Sequence, residues 1–538
     1  MTPEVRVRPI HAVGDHAIMV QCEDLEEVLA LHGELRSRPR PGQVDVVPGA
    51  CTLMVRTESP AAALALAAEL ASLMVPPAGT EIGRTLTLDT VYDGPDLETV
   101  AARTGLSIEE VVARHAAGTW VAAFVGFAPG FAYLTAPGSG LHVPRHDSPR
   151  ARVPEGSVAL AGSFSAVYPR DSPGGWQLIG RTTARLWDLG REPPALVLPG
   201  DRVVFRATRE VVSAAHRPRQ APPAPVRPRA TRDLPRPSGL MVVSPGPQSL
   251  VQDLGRPGQV HLGVGRSGAA DRGAAIRANR LVGNDRGAAV IETVLGGLTL
   301  QARGRQVLAV TGPSSPLTTR TAHGAGTPPP EVGRPFVLED GCVLEVGAPV
   351  QGLRSYVAVR GGLDVDQVLG SRSTDLLAGI GPDPLRPGTW LGVLPAGGRP
   401  VAGWPDAGVR EVTGPVRVRV VAGPRDDWFG PAGLASFLDQ EWTVTPDANR
   451  IGLRLDGSPL VRTRTEELPS EGTVEGAVQV PASGRPVVLL TDHPVTGGYP
   501  VVAVVVRADL DLLGQLRPGA RLQFEAVTGP SLPRPVMR

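Results

Sequence analysis

The chain has 538 residues, and at about 100 to 200 residues per domain this length suggests three or four domains. Its 54 basic residues, all of them arginine, nearly balance 53 acidic ones, so no overall positive field attracts nucleic acid or an anionic membrane. The absence of lysine excludes an ordinary P-loop ATPase, a Schiff-base enzyme and a carrier of covalently bound biotin.

The first predicted elements form a small α/β module. Residues 4–20 alternate between polar and apolar positions as a strand does, and residues 43–57 are again strand-like. Residues 23–36 and 61–74 have the spacing of amphipathic helices. We therefore predict an N-terminal α/β module over residues 1–84.

Short strands and turns dominate the rest of the chain, which holds most of the 65 Gly and 56 Pro. A strand and two helices come first, and the second helix opens with Ser107 and Glu110 in the spacing of a capping box. From Trp120 onwards β-structure is predicted, and residues 85–212 form a first barrel. Seven Pro and six Arg within residues 217–237 indicate a linker at 213–239.

A weak internal repeat relates the two halves. Residues 153–161, 173–179 and 198–205 resemble residues 469–477, 496–502 and 517–524 in the same order. Chance similarity in a Gly- and Pro-rich chain is the alternative to duplication. Duplication predicts a first domain of the second half at 240–412 and a second barrel at 413–532. The predicted fold class is therefore mainly β with α/β parts, with tandem β-barrels following the small N-terminal module.

The cysteines and the N-terminus favour a cytoplasmic location. Cys22, Cys51 and Cys342 are far apart and form no CxxC pair, so neither a disulfide framework nor a structural zinc site is predicted. No signal peptide or membrane span is expected, because the most apolar run is short and is interrupted by Glu69. His142 and His146 have helical spacing, but prolines make this segment a loop, and we predict no metal site.

Gly263 to Gly268 matches the pattern GxGxxG, but its context does not fit a dinucleotide-binding fold. The surrounding sequence is rich in β-structure, and Pro257 and Gly258 stand where an apolar strand would be needed. The glycines still allow backbone amides to approach an anion at the start of a following helix, which Ser267 or Asp271 would cap.

Polar residues embedded among glycines and prolines are the remaining candidates for a site, since barrel loops often carry function. Arginines beside glycine amides can bind a phosphate or a carboxylate, and carboxylates can bind magnesium or transfer protons. Turn formation, helix capping and ion pairing are the alternative explanations for these residues. The first half contributes Arg145, Arg150, Ser157, Tyr168, Gly174, Gly175, Trp176 and Arg181. The second half contributes Gln252, Asp253, Arg256, Ser267, Asp271, Asn279, Asn284, Glu292, Arg372, Ser373, Asn449, Arg450, Glu471, Gln479, Asp492, Thr496 and Tyr499.

These motifs resemble a known family. In the first half, Phe124-Val-Gly-Phe-Ala-Pro-Gly-Phe-Ala-Tyr-Leu134, Val153-Pro-Glu-Gly-Ser157 and Ser172-Pro-Gly-Gly-Trp176 are similar to the B subunit of bacterial 5-oxoprolinase, also called allophanate hydrolase subunit 1. In the second half, Val251-Gln-Asp-Leu-Gly-Arg256, Ser267-Gly-Ala-Ala-Asp271 and Thr496-Gly-Gly-Tyr-Pro500 are similar to the C subunit. The chain thus resembles a B and C fusion, and its layout also resembles the carboxyltransferase region of urea amidolyase.

The resemblance implies cyclophilin-like barrels and ATP-dependent opening of 5-oxo-L-proline to L-glutamate. It implies ATP with Mg²⁺ as cofactor, no biotin on this chain, a lactam substrate and a separate A-type subunit as partner, and it leaves a homo-oligomer open. No nucleic acid or membrane partner is expected. On this basis the catalytic residues are predicted to be Asp253, Arg256, Asp271 and Glu292. Substrate or nucleotide binding is assigned to Arg145, Arg150, Ser157, Gly174, Gly175, Trp176, Arg181, Ser267, Asn284, Arg372, Asn449, Arg450, Thr496 and Tyr499.

Two other functions stay open. A carboxyltransferase component of a urea carboxylase or allophanate hydrolase system would need a biotin carrier and a biotin carboxylase, which these residues do not encode. A regulator of a histidine kinase would need no catalysis. Val501 stands where members of the family often carry lysine, which puts a cationic role at that position in doubt.

Overall fold

The structure, a computed structural model, describes residues 7–75, 83–146, 148, 150–209, 238–402 and 414–529. It is mostly β, with 34% strand and 16% helix, and it contains two barrel-like sheets, which confirms the predicted fold class. In the described ranges no helix combines the length and apolar character needed to cross a bilayer. The predicted linker at 213–239 lies outside the described residues as far as residue 237.

The N-terminal module is an antiparallel sheet in the order β1-β2-β4-β3 covered by two helices. The predicted strand at 4–20 is divided by a turn at Gly14, whose φ of 71° is a left-handed conformation that favours glycine. Asp24 and Ser59 cap the two helices by accepting hydrogen bonds from backbone amides three residues ahead. The elements are β1 (Ile10–Ala12), β2 (Ala17–Gln21), α1 (Leu25–Ser37), β3 (Gln43–Pro48), β4 (Thr52–Thr57) and α2 (Pro60–Leu70).

The first barrel is a seven-stranded sheet in the order β12-β9-β10-β7-β6-β13-β5. A bridge between Val91 and Arg181 brings the two edges of the sheet together. Ser107 accepts from the amide of Glu110, which confirms the predicted cap. The elements are β5 (Thr85–Thr90), α3 (Leu97–Thr104), α4 (Ile108–Ala117), β6 (Trp120–Val125), β7 (Ala132–Thr135), β8 (Arg150–Val153), β9 (Ser157–Ala161), β10 (Phe164–Val167), β11 (Ser172–Gly174), β12 (Gln177–Arg181) and β13 (Arg202–Ala207).

The third unit packs two sheets face to face around an aliphatic core that includes Leu240, Leu300, Ile291 and Val357. Its helix α5 covers the outer face of the five-stranded sheet through buried alanines. The elements are β14 (Gly239–Pro245), β15 (Gln248–Gln252), α5 (Arg272–Leu281), β16 (Val290–Val294), β17 (Leu298–Arg303), β18 (Gln306–Thr311), β19 (Leu317–Arg320), β20 (Pro335–Leu338), β21 (Val343–Val346), β22 (Arg354–Val359), β23 (Leu363–Asp364) and β24 (Trp390–Val393).

The second barrel is closed, in the order β25-β32-β29-β30-β27-β26-β33. Its core holds Trp442 and Phe437. The elements are β25 (Val416–Ala422), α6 (Gly430–Asp439), β26 (Trp442–Val444), β27 (Gly452–Asp456), β28 (Glu471–Gly472), β29 (Ala477–Gln479), β30 (Val487–Leu489), β31 (Thr496–Gly497), β32 (Val501–Val505), α7 (Leu510–Leu513) and β33 (Arg521–Ala526).

The two barrels share features that support the internal repeat. In each barrel the first and last strands pair in parallel, β5 with β13 and β25 with β33. In each, a two-stranded sheet forms from repeat segments, β8 with β11 and β28 with β31. In each, a buried tryptophan indole donates to the carbonyl five residues earlier, Trp120 to His115 and Trp442 to Phe437.

Candidate functional site

Arg450 lies at the centre of a buried charge network between the third unit and the second barrel. Its side chain is 2% exposed. Nη1 donates to Glu292 Oε1 at 2.5 Å, and Nε and Nη2 each donate to one carboxylate oxygen of Asp492 at 2.9 Å. Nη2 also donates to the carbonyl oxygen of Gly268, and Ser267 Oγ donates to Asp492 Oδ1 at 2.7 Å. The fold therefore brings together four of the candidate residues, Ser267, Glu292, Arg450 and Asp492.

Glu292 is a buried anion whose oxygens all have partners. Oε2 accepts from Tyr356 OH and from the amide of Ala270, both at 2.9 Å, and Arg354 Nε lies 3.4 Å from Oε1. Burial raises the pKa of Glu292, but the charges of Arg450 and Arg354 outweigh burial and hold that pKa below its usual value. In this geometry Glu292 holds the loop that precedes α5, and its predicted catalytic role stays a prediction.

Asp253 anchors a second loop. Its Oδ1 accepts from Ser371 Oγ at 2.6 Å, from Ser373 Oγ at 2.5 Å and from the amide of Gly255 at 2.7 Å. Its Oδ2 accepts from the amide of Arg372 at 2.7 Å. Two predicted site residues, Asp253 and Arg372, thus meet through the backbone of the 371–374 loop.

Arg256 is buried beside this loop and is incompletely bonded. Its Nη2 donates to the carbonyl oxygen of Ser373, and Nη1 lies 3.7 Å from Asp375 Oδ2. Neither Nε nor Nη1 has a hydrogen-bond partner among the described residues. Burial, followed by the charge of Asp492, raises the pKa of Asp375 to about 7. Arg256 therefore keeps two buried donors that could hold a water or an anionic group.

Asp271 and Asn284 stabilise the two ends of α5. Asp271 Oδ1 accepts from the amide of Ala274 at 2.7 Å, so Asp271 rather than Ser267 is the helix cap. Its Oδ2 accepts from Gln515 Nε2 at 2.8 Å, and burial raises the pKa of Asp271 to about 6. Asn284 Nδ2 donates to the carbonyl oxygen of Val359 at 2.8 Å. These contacts are those of helix ends, and the predicted roles of both residues stay predictions.

The two halves meet at a polar junction. Thr496 Oγ1 accepts from the amide of Phe127 at 2.8 Å and lies 3.2 Å from Tyr133 OH. Ser470 Oγ is 3.3 Å from the same hydroxyl, and Arg145 Nη2 donates to Ser470 Oγ at 2.9 Å. Arg145 and Thr496, predicted from opposite halves, therefore belong to one cluster.

The other predicted residues of the first half stay apart from these clusters. Arg150 donates to Asp96 Oδ1 at 2.6 Å, and the exposed Arg181 donates to Asp93 Oδ2 at 2.8 Å. The Ser157 hydroxyl bonds to the carbonyl oxygen of Pro154 at 2.8 Å. Gly174, Gly175 and Trp176 lie in or beside a small sheet under the ring cluster of Phe131, Tyr133 and Tyr168. In the second half, Asn449 closes a turn by accepting from the amide of Ile451, and Tyr499 is 39% exposed.

A polar cavity opens where the N-terminal module, the third unit and the second barrel meet. It has a volume of about 200 Å³. Four arginines line it: Arg56 from β4, Arg266 and Arg272 from the loop and first residue of α5, and Arg507 from the segment after β32. We call this space the arginine cavity. Its other titratable lining residues are Asp15, His16, Glu58 and Glu475.

The arginine cavity adjoins the Arg450 network. Arg272 Nη1 pairs with Glu475 Oε2 at 2.7 Å, and Nη2 donates to the carbonyl oxygen of Ser267 at 3.4 Å and to Thr491 Oγ1 at 3.3 Å. Thr491 Oγ1 in turn donates to the carbonyl oxygen of Gly268, the same oxygen that Arg450 contacts. The loop before α5 therefore has the buried network on one side and the cavity on the other.

Sequence reasoning missed the arginines of this cavity. A signal was present for two of them, since Arg266 lies inside the glycine motif at 263–268 and Arg272 follows the cap residue Asp271. The expectation that backbone amides of this segment approach an anion stays a prediction. Arg56 and Arg507 come from distant parts of the chain, and no local pattern marked them.

Within the described ranges no three His, Cys, Asp or Glu side chains converge in a way that could hold a metal ion. The expected ATP and Mg²⁺ stay predictions.

Comparison with known proteins gives matches in both halves. The profile of the carboxyltransferase domain, subdomain C and D, matches residues 8–197, and that of subdomain A and B matches residues 262–526. The C subunit of the 5-oxoprolinase of Escherichia coli K12 is 36% identical over 285 residues, which are 53% of this chain and 90% of that protein. The B subunit of the 5-oxoprolinase of Escherichia coli O157:H7 is 46% identical over 132 residues, which are 24% of this chain and 61% of that protein.

A solved structure and a larger enzyme are also similar. The crystal structure of TTHA0988 is 34% identical, covers 96% of this chain and 100% of its own, and superposes with a TM-score of 0.78. The urea amidolyase of Lachancea kluyveri is 30% identical over 54% of this chain but only 17% of its own length.

Proposed function

Since the chain belongs to the carboxyltransferase-domain family, as a fusion of a half similar to the 5-oxoprolinase B subunit with a half similar to the C subunit, we propose that it is the ATP-dependent component of a 5-oxoprolinase. Its partner would be a separate A-type subunit, and the substrate 5-oxo-L-proline. The observation that carries this proposal is the presence in one chain of both similarities, one of them over 90% of a C subunit.

The chemistry requires activation of an unstrained amide. Transfer of the terminal phosphoryl group of ATP to the lactam oxygen breaks the bond to ADP and creates a phosphate leaving group on the carbon. Water then adds to that carbon and the ring C–N bond breaks, which leaves the amine and an acyl phosphate. A second water hydrolyses the acyl phosphate to the carboxylate and inorganic phosphate. The residues that assist must balance negative charge on the substrate and on the phosphoryl group. Because the chain has no lysine, arginine guanidinium groups and backbone amides are the donors available.

The contacts around the 263–271 loop support such a role. Arg450 and Glu292 hold this loop from its buried side, and Arg266 and Arg272 extend from it into the cavity. Groups held by a bonded framework keep their positions when charge develops on a substrate, and this preorganisation is what electrostatic catalysis needs.

The junction between the halves supports a composite component. Thr496 accepts from the amide of Phe127 and contacts Tyr133, while Ala50 donates its amide to the carbonyl oxygen of Ser470. A B-type half and a C-type half therefore contact each other through the motifs on which the resemblance rests. Separate B and C proteins would need the same contacts to form one functional unit.

The test is phosphate release from ATP by this chain mixed with an A-type subunit from the same source. We expect release that 5-oxo-L-proline stimulates, together with formation of glutamate, and neither with either protein alone. Stimulation by urea and bicarbonate that depends on a biotin carrier protein would replace the proposal by the urea carboxylase function. If neither substrate stimulates phosphate release and the chain captures a histidine kinase, the regulatory function would replace the proposal.

A further inference from the structure

One arginine in the interior of the arginine cavity lacks a direct carboxylate contact. Arg56 pairs with the buried Asp45 at 3.2 Å, and Arg272 pairs with Glu475 at 2.7 Å. Arg266 donates Nε to the carbonyl oxygen of Leu254 at 3.0 Å, and within the described part of the chain no carboxylate lies within 4 Å of its guanidinium.

The cavity therefore has one interior arginine, Arg266, that no carboxylate of the described residues contacts. Glu58 and Arg507 are exposed at the edge of the cavity, and the half-buried Asp15 contacts His16 Nδ1 at 2.9 Å and accepts from the backbone amide of Arg507 at 3.1 Å, not from Arg266. Burial, and then the nearby charges of Arg272 and Arg56, lower the pKa of Arg266 to about 10, which still leaves it charged at neutral pH. An unpaired, partly buried guanidinium is costly, and a bound anion would remove that cost.

A second observation also indicates a missing acceptor. The Nε atom of Arg272 is buried and has no hydrogen-bond partner among the described residues. Buried donors are normally paired, with protein, water or ligand. The free Nε of Arg272 and the unpaired charge of Arg266 both belong to the lining of the same cavity.

We propose that the arginine cavity binds the carboxylate of a small monoanionic ligand, with Arg266 as the anchoring cation and Arg272 beside it. The one interior guanidinium without a carboxylate contact matches one ligand carboxylate. The volume of about 200 Å³ lies below the roughly 300 to 1,000 Å³ of pockets that hold drug-sized ligands, so it suits a small organic acid and not a whole nucleotide. Glu475, on the same wall, offers an acceptor for an N–H group of the ligand.

The identity of the ligand rests on the proposed function, which makes 5-oxo-L-proline the first probe. Calorimetry on the full chain would compare 5-oxo-L-proline with 2-pyrrolidone, the same lactam without its carboxylate, and with inorganic phosphate. We expect binding of 5-oxo-L-proline only. Equal binding of pyrrolidone, or binding of phosphate in place of the carboxylate, would overturn the proposal.

Variants separate a binding role from a structural one. We expect Arg266→Met to weaken binding on the order of 30-fold or more, since it removes a charged partner from a buried ion pair, and Arg266→Lys to retain part of the affinity. The melting temperature of ligand-free Arg266→Met should not fall, because the substitution removes an unpaired charge. Arg305→Gln is the matched control, since Arg305 is 68% exposed and pairs with Glu339 on the surface.

The outcomes distinguish this inference from the proposed function. If the mixture with the A-type subunit turns over 5-oxo-L-proline and Arg266→Met leaves its KM unchanged, the cavity assignment fails and the proposed function stands. If 5-oxo-L-proline does not bind but acetate, pyruvate or proline binds in a manner that depends on Arg266, the cavity assignment stands and the proposed function fails. If no carboxylate of this panel binds, the cavity assignment fails.

Discussion

Replacement of Arg450 by methionine tests the buried charge network. Methionine fills much of the same space but removes the guanidinium that donates to Glu292 and Asp492. Removing one partner of a buried ion pair costs about 3 to 5 kcal/mol, because a buried charge is left without compensation. Arg354 at 3.4 Å and Ser267 at 2.7 Å still contact the two carboxylates, so we expect about 3 kcal/mol, close to the lower end.

Urea unfolding, followed by the fluorescence of buried tryptophans such as Trp442, measures this loss as a lower midpoint. The control Arg485→Met breaks an exposed pair with Asp456 in the same barrel and should cost at most about 1 kcal/mol. Adding Glu292→Gln and Asp492→Asn to Arg450→Met should recover part of the loss, because the uncompensated charges are then gone.

The pH dependence gives a second check. In the native chain the pKa of Glu292 is below its usual value, so its contribution to stability is present above the unfolded pKa of about 4.3 and is lost as the pH falls through the folded pKa. Without Arg450 the buried Glu292 takes up a proton more readily, and the deficit of the variant should be larger at pH 8 than at pH 5. A native midpoint for Arg450→Met, or a deficit that grows as the pH falls, would refute the reasoning.

Three further predictions concern other parts of the fold. Gly126→Ala places a methyl group against the side chain of Thr496 at the junction of the halves and should cost about 1 to 3 kcal/mol in thermal unfolding. Gly326→Ala, where nothing lies within 4 Å of the added methyl group, is the control and should leave the melting temperature nearly unchanged. Burial lowers the pKa of His115 to about 3, so near pH 5 the unfolded chain binds a proton that the folded chain rejects. This residue alone should lower stability by about 2 kcal/mol between pH 8 and pH 5, and His115→Gln should remove that share while the similar contributions of His32 and His493 remain; an unchanged pH dependence would contradict the reasoning. Asp271→Ala should cost about 1 kcal/mol of stability through loss of the helix cap. Asp271→Asn keeps a capping oxygen and should be nearly neutral above pH 6, where the native carboxylate is a buried charge. Equal losses for the two variants in circular dichroism melts would exclude the capping explanation.

Local patterns predicted the two helices of the N-terminal module and two helix caps, whereas the strand-like run at 43–57 is two strands, β3 and β4, joined by a turn. Ser107 and Asp271 cap the helices that follow them, as expected for short polar side chains at helix starts. The strand expected at 4–20 was wrong in one respect, because Gly14 turns the chain and divides it into β1 and β2. Alternation of apolar residues continues across such a turn and does not reveal it.

The sequence by itself determined the mainly β fold class, the exclusion of lysine chemistry and the family resemblance, since all of these depend on composition or on residues close together in the chain. Only the tertiary structure decided which charges meet. Arg56 and Arg272 are far apart in sequence, yet they line one cavity, while Arg181 stays paired with Asp93 on the surface. The physical reason is that ion pairing and desolvation depend on distance and burial in three dimensions, which residue type and spacing do not encode.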